Sequence, residues 1–258
     1  MDVHDYPILE FDADHAAIID PARIHKKPEM PKRAVACFFK DVIDTLIEKY
    51  DAEKILEMGS EIGKNPIYKI EVNGEPIAVF HPGVGAPLAA GFLEHAIALG
   101  ATKIIACGGA GVLHKSIALG HLIIPTSALR DEGTSYHYLP PSREVQGDQT
   151  SIDAIIATME KHRAPYTLAK TWTTDAFFRE TPERVNRRRN EGCVTVEMET
   201  AAFFAVAQFR NVHFGQILYG GDDISGDEWD KRDWNNQMSV REKVFWLAAE
   251  ACVAIADS

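Results

Sequence analysis

Two carboxylates separated by one methionine, Glu197-Met198-Glu199, stand directly before an apolar segment, Thr200 to Phe209, that predicts a helix. A carboxylate can accept hydrogen bonds from both vicinal hydroxyls of a ribose, and a methionine offers an apolar face to the sugar ring. Acidic residues are equally typical of a helix N-terminus, where the helix dipole favours negative charge. The spacing therefore supports two interpretations: a ribose-binding pair and a helix start.

A second acidic pair, Asp222-Asp223, follows Gly220-Gly221 at the end of an apolar segment, Val212 to Tyr219, that predicts a strand. A carboxylic acid at the end of a strand can protonate a ring nitrogen of a departing base. The same residue type also caps turns. The acidic run over residues 222–230 lacks the ligand pattern of a calcium loop, so we expect no metal.

Apolar periodicity predicts the elements that position these residues. Predicted helices cover Ala34 to Tyr50, Leu88 to Leu99 with Gly100 as its stop, Thr200 to Phe209, and Val240 to Ile255. Predicted strands cover Ile77 to Phe80, Lys103 to Cys107, His121 to Thr126, and Val212 to Tyr219. Their alternation indicates an α/β sheet covered by helices. Without a linker or an internal repeat, we expect a single domain over residues 1–258.

Three of the predicted strands end in glycine-rich segments, at residues 81–87, 108–111 and 220–221. Ligands of open α/β sheets bind at the carboxyl ends of strands. Glycines there let the backbone approach a ligand and offer N–H donors to an anion, although they also serve tight turns. These three strand ends are the predicted place for chemistry.

Composition excludes several classes of partner. The net charge is −11, and nucleic-acid binding needs a basic face, so we expect no nucleic-acid partner. No apolar stretch reaches the ~18 residues of a membrane span, and the acidic N-terminus does not resemble a signal peptide. Four cysteines without paired ligand spacing suit a reducing compartment: Cys37, Cys107, Cys193 and Cys252. We expect a cytoplasmic protein with no membrane partner.

Six segments, taken in order, resemble the nucleoside phosphorylase family, which includes bacterial purine nucleoside phosphorylase, uridine phosphorylase and the methylthioadenosine nucleosidases. The segments are Asp20-Pro21-Ala22-Arg23, Gly83-Val84-Gly85-Ala86-Pro87, Gly108-Gly109-Ala110-Gly111, Thr174-Asp175-Ala176-Phe177-Phe178, Val196-Glu197-Met198-Glu199 and Asp222. The resemblance implies a three-layer α/β/α sandwich with a central twisted mixed sheet. It also implies a homo-oligomer, a trimer or hexamer, whose active sites a neighbouring subunit completes.

The resemblance assigns roles to individual residues. Glu199 would bind the ribose hydroxyls and Asp222 would protonate N7 of the leaving base, both as catalytic residues. Substrate-binding roles are implied for Met198, Glu197, Phe177, Gly108 and Gly109, and phosphate-binding roles for Arg23 and Gly85. The reaction would be a glycosyl transfer from a nucleoside to phosphate, which gives free base and ribose 1-phosphate without a cofactor.

The expected chemistry follows from charge. Cleavage of a glycosidic bond builds positive charge on the sugar and negative charge on the base. A carboxylate beside the hydroxyls stabilises the positive charge on the sugar, and a proton donor at the base neutralises the negative charge there. Phosphate then captures the cation at C1.

The chain departs from the family pattern at positions that would hold phosphate. Ala106 stands where the phosphorylases carry an arginine, and Gly109 where they carry a hydroxyl. The arginine lent by the neighbouring subunit would fall within residues 62–64, where only Lys64 is cationic. A rebuilt phosphate pocket would use Lys115, Arg130 or His137. The alternatives are therefore a phosphorylase, a hydrolytic nucleosidase that uses water, and a nucleoside-binding protein without catalysis.

The identity of the base has two interpretations. Residues 130–137 resemble uridine phosphorylase, yet Pro182 occupies the place of the glutamine that recognises uracil. Asp222 and the ungapped match of residues 174–183 resemble the purine enzymes. We expect a purine nucleoside.

Overall fold

The computed structural model describes residues 3–25 and 30–256. Ten strands are present in it: β1 Arg33–Cys37, β2 Glu53–Ser60, β3 Gly63–Val72, β4 Glu75–Phe80, β5 Lys103–Val112, β6 Leu122–Asp131, β7 Glu144–Gln146, β8 Tyr166–Thr174, β9 Cys193–Glu197 and β10 His213–Asp223. The helices are α1 Pro21–Ile24, α2 Lys40–Lys49, α3 Ala86–Ala98, α4 Gln149–Lys161, α5 Pro182–Asn190, α6 Thr200–Arg210 and α7 Met238–Ala254.

All of these strands belong to one mixed sheet with the order β10-β6-β8-β9-β5-β1-β4-β3-β2, and β7 pairs with β6. Strand β10 also pairs with β5, so that β5, β9, β8, β6 and β10 close a ring. Helices α2, α4 and α7 bury their apolar side chains on one face. Helices α3 and α6 bury theirs on the other. The predicted three-layer sandwich around a mixed sheet is confirmed.

The helix predicted from Ala34 to Tyr50 is wrong in its first part. Residues 33–37 form strand β1, which lies between β4 and β5 with Ala34 to Cys37 fully buried. A strand that is covered on both faces is apolar throughout, so its pattern cannot be distinguished from that of a buried helix. The helix itself begins at Lys40 and ends at Lys49.

The other predicted elements are confirmed, with differences at their ends. Helix α3 ends just before Gly100, whose φ of +120° lies in the region that favours glycine. Strands β5 and β10 are longer than predicted, because each continues through its glycine segment. The single-domain prediction stays a prediction, since residues 1–2, 26–29 and 257–258 lie outside the described part of the chain.

The glycines of β5 are required by close packing inside the sheet. Gly109 pairs with Tyr219 of β10, and a Cβ at Gly109 would lie 3.2 Å from the Tyr219 ring. A Cβ at Gly108 would lie 3.0 Å from the Phe38 ring. These distances are shorter than ordinary carbon contacts. The glycine run is therefore part of strand β5, whereas the predicted strand ended at Cys107.

Candidate active site

Glu199 follows strand β9 and is hydrogen-bonded to the segment that follows strand β4. It lies between β9 and α6, and its side chain is buried at 6% exposure. Its Oε1 accepts a hydrogen bond of 2.6 Å from the amide of Gly85, which begins α3 after β4. Gly85 adopts a φ of +86°, which favours glycine. The second oxygen, Oε2, accepts only a longer bond of 3.3 Å from the Met198 amide. That oxygen keeps capacity to accept further hydrogen bonds.

Burial sets the charge state of Glu199. Desolvation and the neighbouring Glu197 raise the pKa of Glu199 to about 8, against the opposing effect of the two amide donors. Burial also raises the pKa of Glu197. Donors from a ligand would favour the ionised form of Glu199, because hydrogen bonds to a carboxylate stabilise its charge. The site therefore contains a carboxylate that gains from binding hydroxyl groups.

Both side-chain oxygens of Glu197 accept hydrogen bonds from the protein itself. One of its oxygens accepts from the amides of Glu199 and Thr200, at 2.7 and 2.6 Å. The other accepts from the Thr173 hydroxyl at 2.6 Å. Glu197 thus satisfies amides at the start of α6, which is the helix-start role that its sequence position allowed. Its predicted substrate contact stays a prediction, as does that of the half-buried Met198.

Asp222 lies near the end of β10, beside the end of β5. A Cβ added to Gly111 would lie 3.6 Å from its Oδ1, and 3.0 Å from Val196 of β9. The indole Nε1–H of Trp229 donates to Asp222 Oδ2 at 2.6 Å. Burial raises the pKa of Asp222, and the bond from Trp229 only partly opposes this. A carboxyl whose pKa is raised in this way is better suited to act as an acid than an ordinary aspartate.

Asp223 differs from its neighbour in both contacts and charge. It pairs with Arg232 and accepts a 2.7 Å bond from the Ser225 amide. Burial alone would raise the pKa of Asp223, but these contacts hold that pKa below its usual value. The pKa values of these two adjacent carboxyls are thus shifted in opposite directions, and only that of Asp222 is shifted upward, as a proton donor requires.

Phe177 presents an open aromatic surface. It lies in a short 3₁₀-helix, Phe177–Arg179, after β8, and is 50% exposed. Its ring centroid is 4.1 Å from that of Phe178, which is also exposed. An exposed ring on a short helix can stack on a flat base, because aromatic faces pair in offset arrangements. The predicted stacking stays a prediction.

Glu180 is a residue of this region that was not predicted from the sequence. Its amide donates to the Phe177 carbonyl at 3.2 Å, which places it one turn after Phe177. Burial and the nearby Asp222 raise the pKa of Glu180 to about 7. Its spacing of three residues from Phe177 was the available signal, since i and i+3 share a side of a 3₁₀-helix.

The predicted phosphate residues lie apart in the described chain. Arg23 belongs to α1, which packs on α3; its side chain is 69% exposed and its Nε is 3.7 Å from Asp20. No described contact links Arg23 to Gly85, whose amide is engaged by Glu199. Ala106 is fully buried in the core. The phosphate roles of Arg23 and Gly85 stay predictions.

Other candidate cations have different surroundings. Arg130 is buried and donates to Ser135, Leu139, Pro140 and Ser142, whereas Lys115 and His137 are exposed. Lys64 lines a cavity of about 300 Å³ together with Lys40, His81 and Gly83. Its Nζ is also 3.1 Å from Glu57. Lys40 pairs with Asp44, and burial lowers the pKa of His81, so the two lysines are the cations of this cavity and each has a carboxylate partner.

Within residues 3–25 and 30–256, no group of three or more His, Cys, Asp or Glu side chains is placed to hold a metal ion. None of the described helices has the length and hydropathy needed to cross a membrane.

Curated relatives are nucleoside phosphorylases with different bases. The chain is 25% identical over 171 residues to guanosine phosphorylase of Halorubrum lacusprofundi, a match to 65% of this chain and 71% of the relative. It is 30% identical over 153 residues to uridine phosphorylase of Thermococcus kodakarensis, covering 56% of this chain and 55% of that protein. Purine nucleoside phosphorylase DeoD-type of Buchnera aphidicola is 24% identical over 200 residues, 74% of this chain and 86% of the relative. The chain thus spans about half the length of the uridine enzyme that it matches.

Solved structures share the fold. Uridine phosphorylase from Vibrio fischeri ES114 has a TM-score of 0.72 at 20% identity, covering 92% of this chain and 94% of the other. AMP nucleosidase from Bacteroides thetaiotaomicron has a TM-score of 0.70 at 21% identity, covering 86% and 87%. The family model described as the Phosphorylase superfamily matches residues 32–254, which include Glu199, Asp222 and the sheet that joins them. The chain is therefore a member of the Phosphorylase superfamily.

Proposed function

We propose that the protein is a purine nucleoside phosphorylase, which cleaves the N-glycosidic bond with phosphate to give free base and ribose 1-phosphate. The observation that carries the proposal is the meeting of β9 and β10 at Gly111 of β5. One of these strands leads into the buried Glu199, and the other carries Asp222, whose pKa is raised by burial. Charge stabilisation at the sugar and proton donation at the base need this pair of groups.

Each residue has a defined task in the proposed reaction. Glu199 accepts hydrogen bonds from the ribose hydroxyls through Oε2, while the Gly85 amide fixes Oε1. Phe177 stacks on the base. Asp222 donates its proton to N7 as the bond breaks, which removes negative charge from the leaving group. Phosphate attacks C1 as the glycosidic bond breaks.

The choice of a purine rests on the acid. A carboxyl with a raised pKa at Asp222 suits a base that must gain a proton at a ring nitrogen on leaving. Curated relatives named guanosine phosphorylase and purine nucleoside phosphorylase support this choice. Relatives named uridine phosphorylase supply the alternative base.

Phosphate binding is supported by the basic cavity beside Gly83. Lys40, Lys64 and His81 line it, and the backbone of Gly83 forms part of its wall. A charged hydrogen bond to phosphate contributes about 1.5–3 kcal/mol, so two such donors would offset the loss of arginine at Ala106. Phosphate is then a co-substrate, and no cofactor is required.

Hydrolysis is the second candidate, because two observations favour it. Ala106 is buried in the core, and Gly109 is covered by the Tyr219 ring, so neither position offers phosphate a donor side chain. Water would then attack C1 and free ribose would form. The Bacteroides thetaiotaomicron protein of the same fold is named AMP nucleosidase.

One assay tests the proposal. The protein is incubated with guanosine, inosine, adenosine and uridine, with and without phosphate, and free base, ribose and ribose 1-phosphate are measured. Phosphate-dependent release of a purine base with ribose 1-phosphate is the expected result. Equal release without phosphate, with free ribose, would establish the hydrolase. Binding without any product would leave a nucleoside-binding protein.

The proposal includes a homo-oligomer. Apolar side chains are exposed beside the basic cavity, at Ile62 and Val84, with 76% and 64% exposure. A neighbouring subunit would cover them and complete the site. Size-exclusion chromatography with light scattering should give a mass that is three or six times the 28.6 kDa of the chain. A monomer mass would refute this part of the proposal.

A further inference from the structure

The strand that carries Asp222 contains an extra residue at that position. Gly220 of β10 pairs with Ala110 of β5. Asp223, three residues later, pairs with Val112, which is only two residues after Ala110. This irregularity is a β-bulge, a feature that re-aims a side chain and is common next to active sites. The direction of the Asp222 side chain therefore depends on the bulge.

The bulge persists only if the pairing beyond it is held in register. If β10 slipped by one residue, Asp222 would take the place of Asp223 opposite Val112. A shift of one residue turns the side chains of a strand to the opposite face of the sheet. Beyond the bulge, a backbone bond of 3.2 Å from the Ile224 amide to the Val112 carbonyl continues the pairing.

The next amides of the two strands have other partners. The Leu113 amide donates to the Val194 carbonyl of β9 at 2.9 Å. The Ser225 amide donates to the Asp223 side chain at 2.7 Å. These two amides therefore do not join β5 to β10.

Arg189 connects the two strands at this point. It lies near the end of α5, where its Nε donates to the Leu113 carbonyl at 2.8 Å and its Nη2 to the Ser225 carbonyl at 3.0 Å. A third bond, of 3.3 Å, joins Nη1 to Asn186 of the same helix. A guanidinium group holds its donors in a rigid planar fork, so it fixes the distance between the two carbonyls that it binds.

The neighbouring arginines of α5 bind carboxylates. Arg187 is exposed, and its Nε lies 3.5 Å from Glu191. Arg188 pairs with Asp131 at the end of β6 and also with Glu191. In this run of three arginines, Arg189 is the one that binds the main chain beside the bulge.

We propose that Arg189 is a positioning residue, which holds the bulge of β10 and thereby keeps the carboxyl of Asp222 in the orientation that delivers a proton to the base. The catalytic part of this proposal rests on the proposed function and adds a residue to it. It applies whether phosphate or water attacks C1, because the acid acts on the leaving base in both reactions.

The test compares Arg189→Met with the control Arg187→Met. Methionine keeps an apolar stem but has no donor, so the carbonyls of Leu113 and Ser225 lose their bridge. The control removes the same charge from an exposed position of the same helix. The two substrates are guanosine and 7-methylguanosine, with phosphate present. A methyl group at N7 already makes the base cationic, so 7-methylguanine leaves as a neutral molecule without a proton from Asp222.

The measured quantity is kcat/KM for each nucleoside. For guanosine it should fall about tenfold to a hundredfold in Arg189→Met, because a displacement of ~1 Å can cost about a hundredfold in rate. For 7-methylguanosine it should stay unchanged, and Arg187→Met should keep both values. An equal loss for the two nucleosides in Arg189→Met would indicate a general structural role and would overturn the proposal. An unchanged value for guanosine would also overturn it.

Hydrogen exchange of the amides of residues 220–226 keeps this test separate from that of the reaction. The Ile224 amide should exchange faster in Arg189→Met than in Arg187→Met, because its bond to Val112 depends on the bridge. If the unaltered protein cleaves no nucleoside, the proposed function fails and exchange alone decides whether Arg189 holds the bulge. Equal exchange in the two variants would show that it does not. If Arg189→Met does not fold, Arg189→Lys and Arg187→Lys replace the pair, since lysine lacks the rigid fork.

Discussion

Trp229 holds one oxygen of Asp222, since its indole Nε1–H donates to Oδ2 at 2.6 Å. Since Oδ2 is engaged by this bond, the proton transfer proposed for Asp222 would use Oδ1. The segment that carries Trp229 is closed at its base by two backbone bonds between Asp223 and Asp230, of 2.8 and 3.0 Å. Arg232 pairs with Asp223 at the same place. Trp229 is thus a positioning residue for the acid.

Replacing Trp229 by phenylalanine should slow the reaction without abolishing it. The ring remains but the donor is lost, and a hydrogen bond to a charged or acidic group contributes about 1.5–3 kcal/mol, so we expect kcat to fall at least tenfold. The KM for the nucleoside should change little, because Trp229 acts through Asp222. Trp246→Phe serves as the control, since Trp246 lies on α7 against Tyr50. A kcat equal to that of the control would show that the indole donor has no role.

Substitution of Glu199 should lower activity, whereas substitution of Glu197 should lower stability. Glu199→Gln should lower kcat/KM at least a hundredfold while the fold survives. Glu197→Ala strips the amides of Glu199 and Thr200 of their acceptor, which should destabilise the protein by about 2 kcal/mol, or about 4–8 °C in Tm. Turnover and thermal unfolding are measured on both variants. A large loss of Tm in Glu199→Gln with full activity would reverse these assignments.

Stability should fall with rising pH because of Glu199. Its pKa is about 8 in the folded protein against a usual 4.5, so its contribution is fully present below pH 4.5 and is lost as pH rises through 8. Glu199→Gln removes this dependence. The stability of the variant minus that of the unaltered protein should therefore be larger at pH 9 than at pH 5, by at least the ~1.4 kcal/mol of one pKa unit, or about 3–5 °C in Tm. The difference in Tm between the two proteins is measured at both pH values. A constant difference would contradict the burial argument.

Lys64→Ala should weaken phosphate binding if the cavity beside Gly83 holds the co-substrate. Loss of one charged contact, about 1.5–3 kcal/mol, should raise the KM for phosphate by at least tenfold. Lys69→Ala is a matched control on the same strand, where Lys69 pairs with Glu53. Initial rates are measured over a range of phosphate concentrations. Equal values of KM in both variants would place phosphate elsewhere.

Sequence periodicity predicted the helices α3, α6 and α7 because each has apolar residues at helical spacing over more than ten residues. It failed at β1, whose residues Ala34 to Cys37 are buried on both faces. Spacing and resemblance predicted the roles of Glu199 and Asp222, which stay predictions. They could not identify Trp229 or Glu180, since those contacts depend on how the segments after β10 and β8 fold back. They also could not show that Arg23 pairs with Asp20.

Closure of the five-stranded ring has a consequence for aggregation. Because β10 pairs with both β5 and β6, neither side of β10 is left as an open edge. Strand β2 ends the sheet order and remains at an edge, and it carries three charged side chains: Glu53, Lys54 and Glu57. Charged residues on an edge strand oppose pairing with another chain. We therefore expect any assembly of this protein to form through side chains and loops, and its sheet to resist strand addition at high concentration.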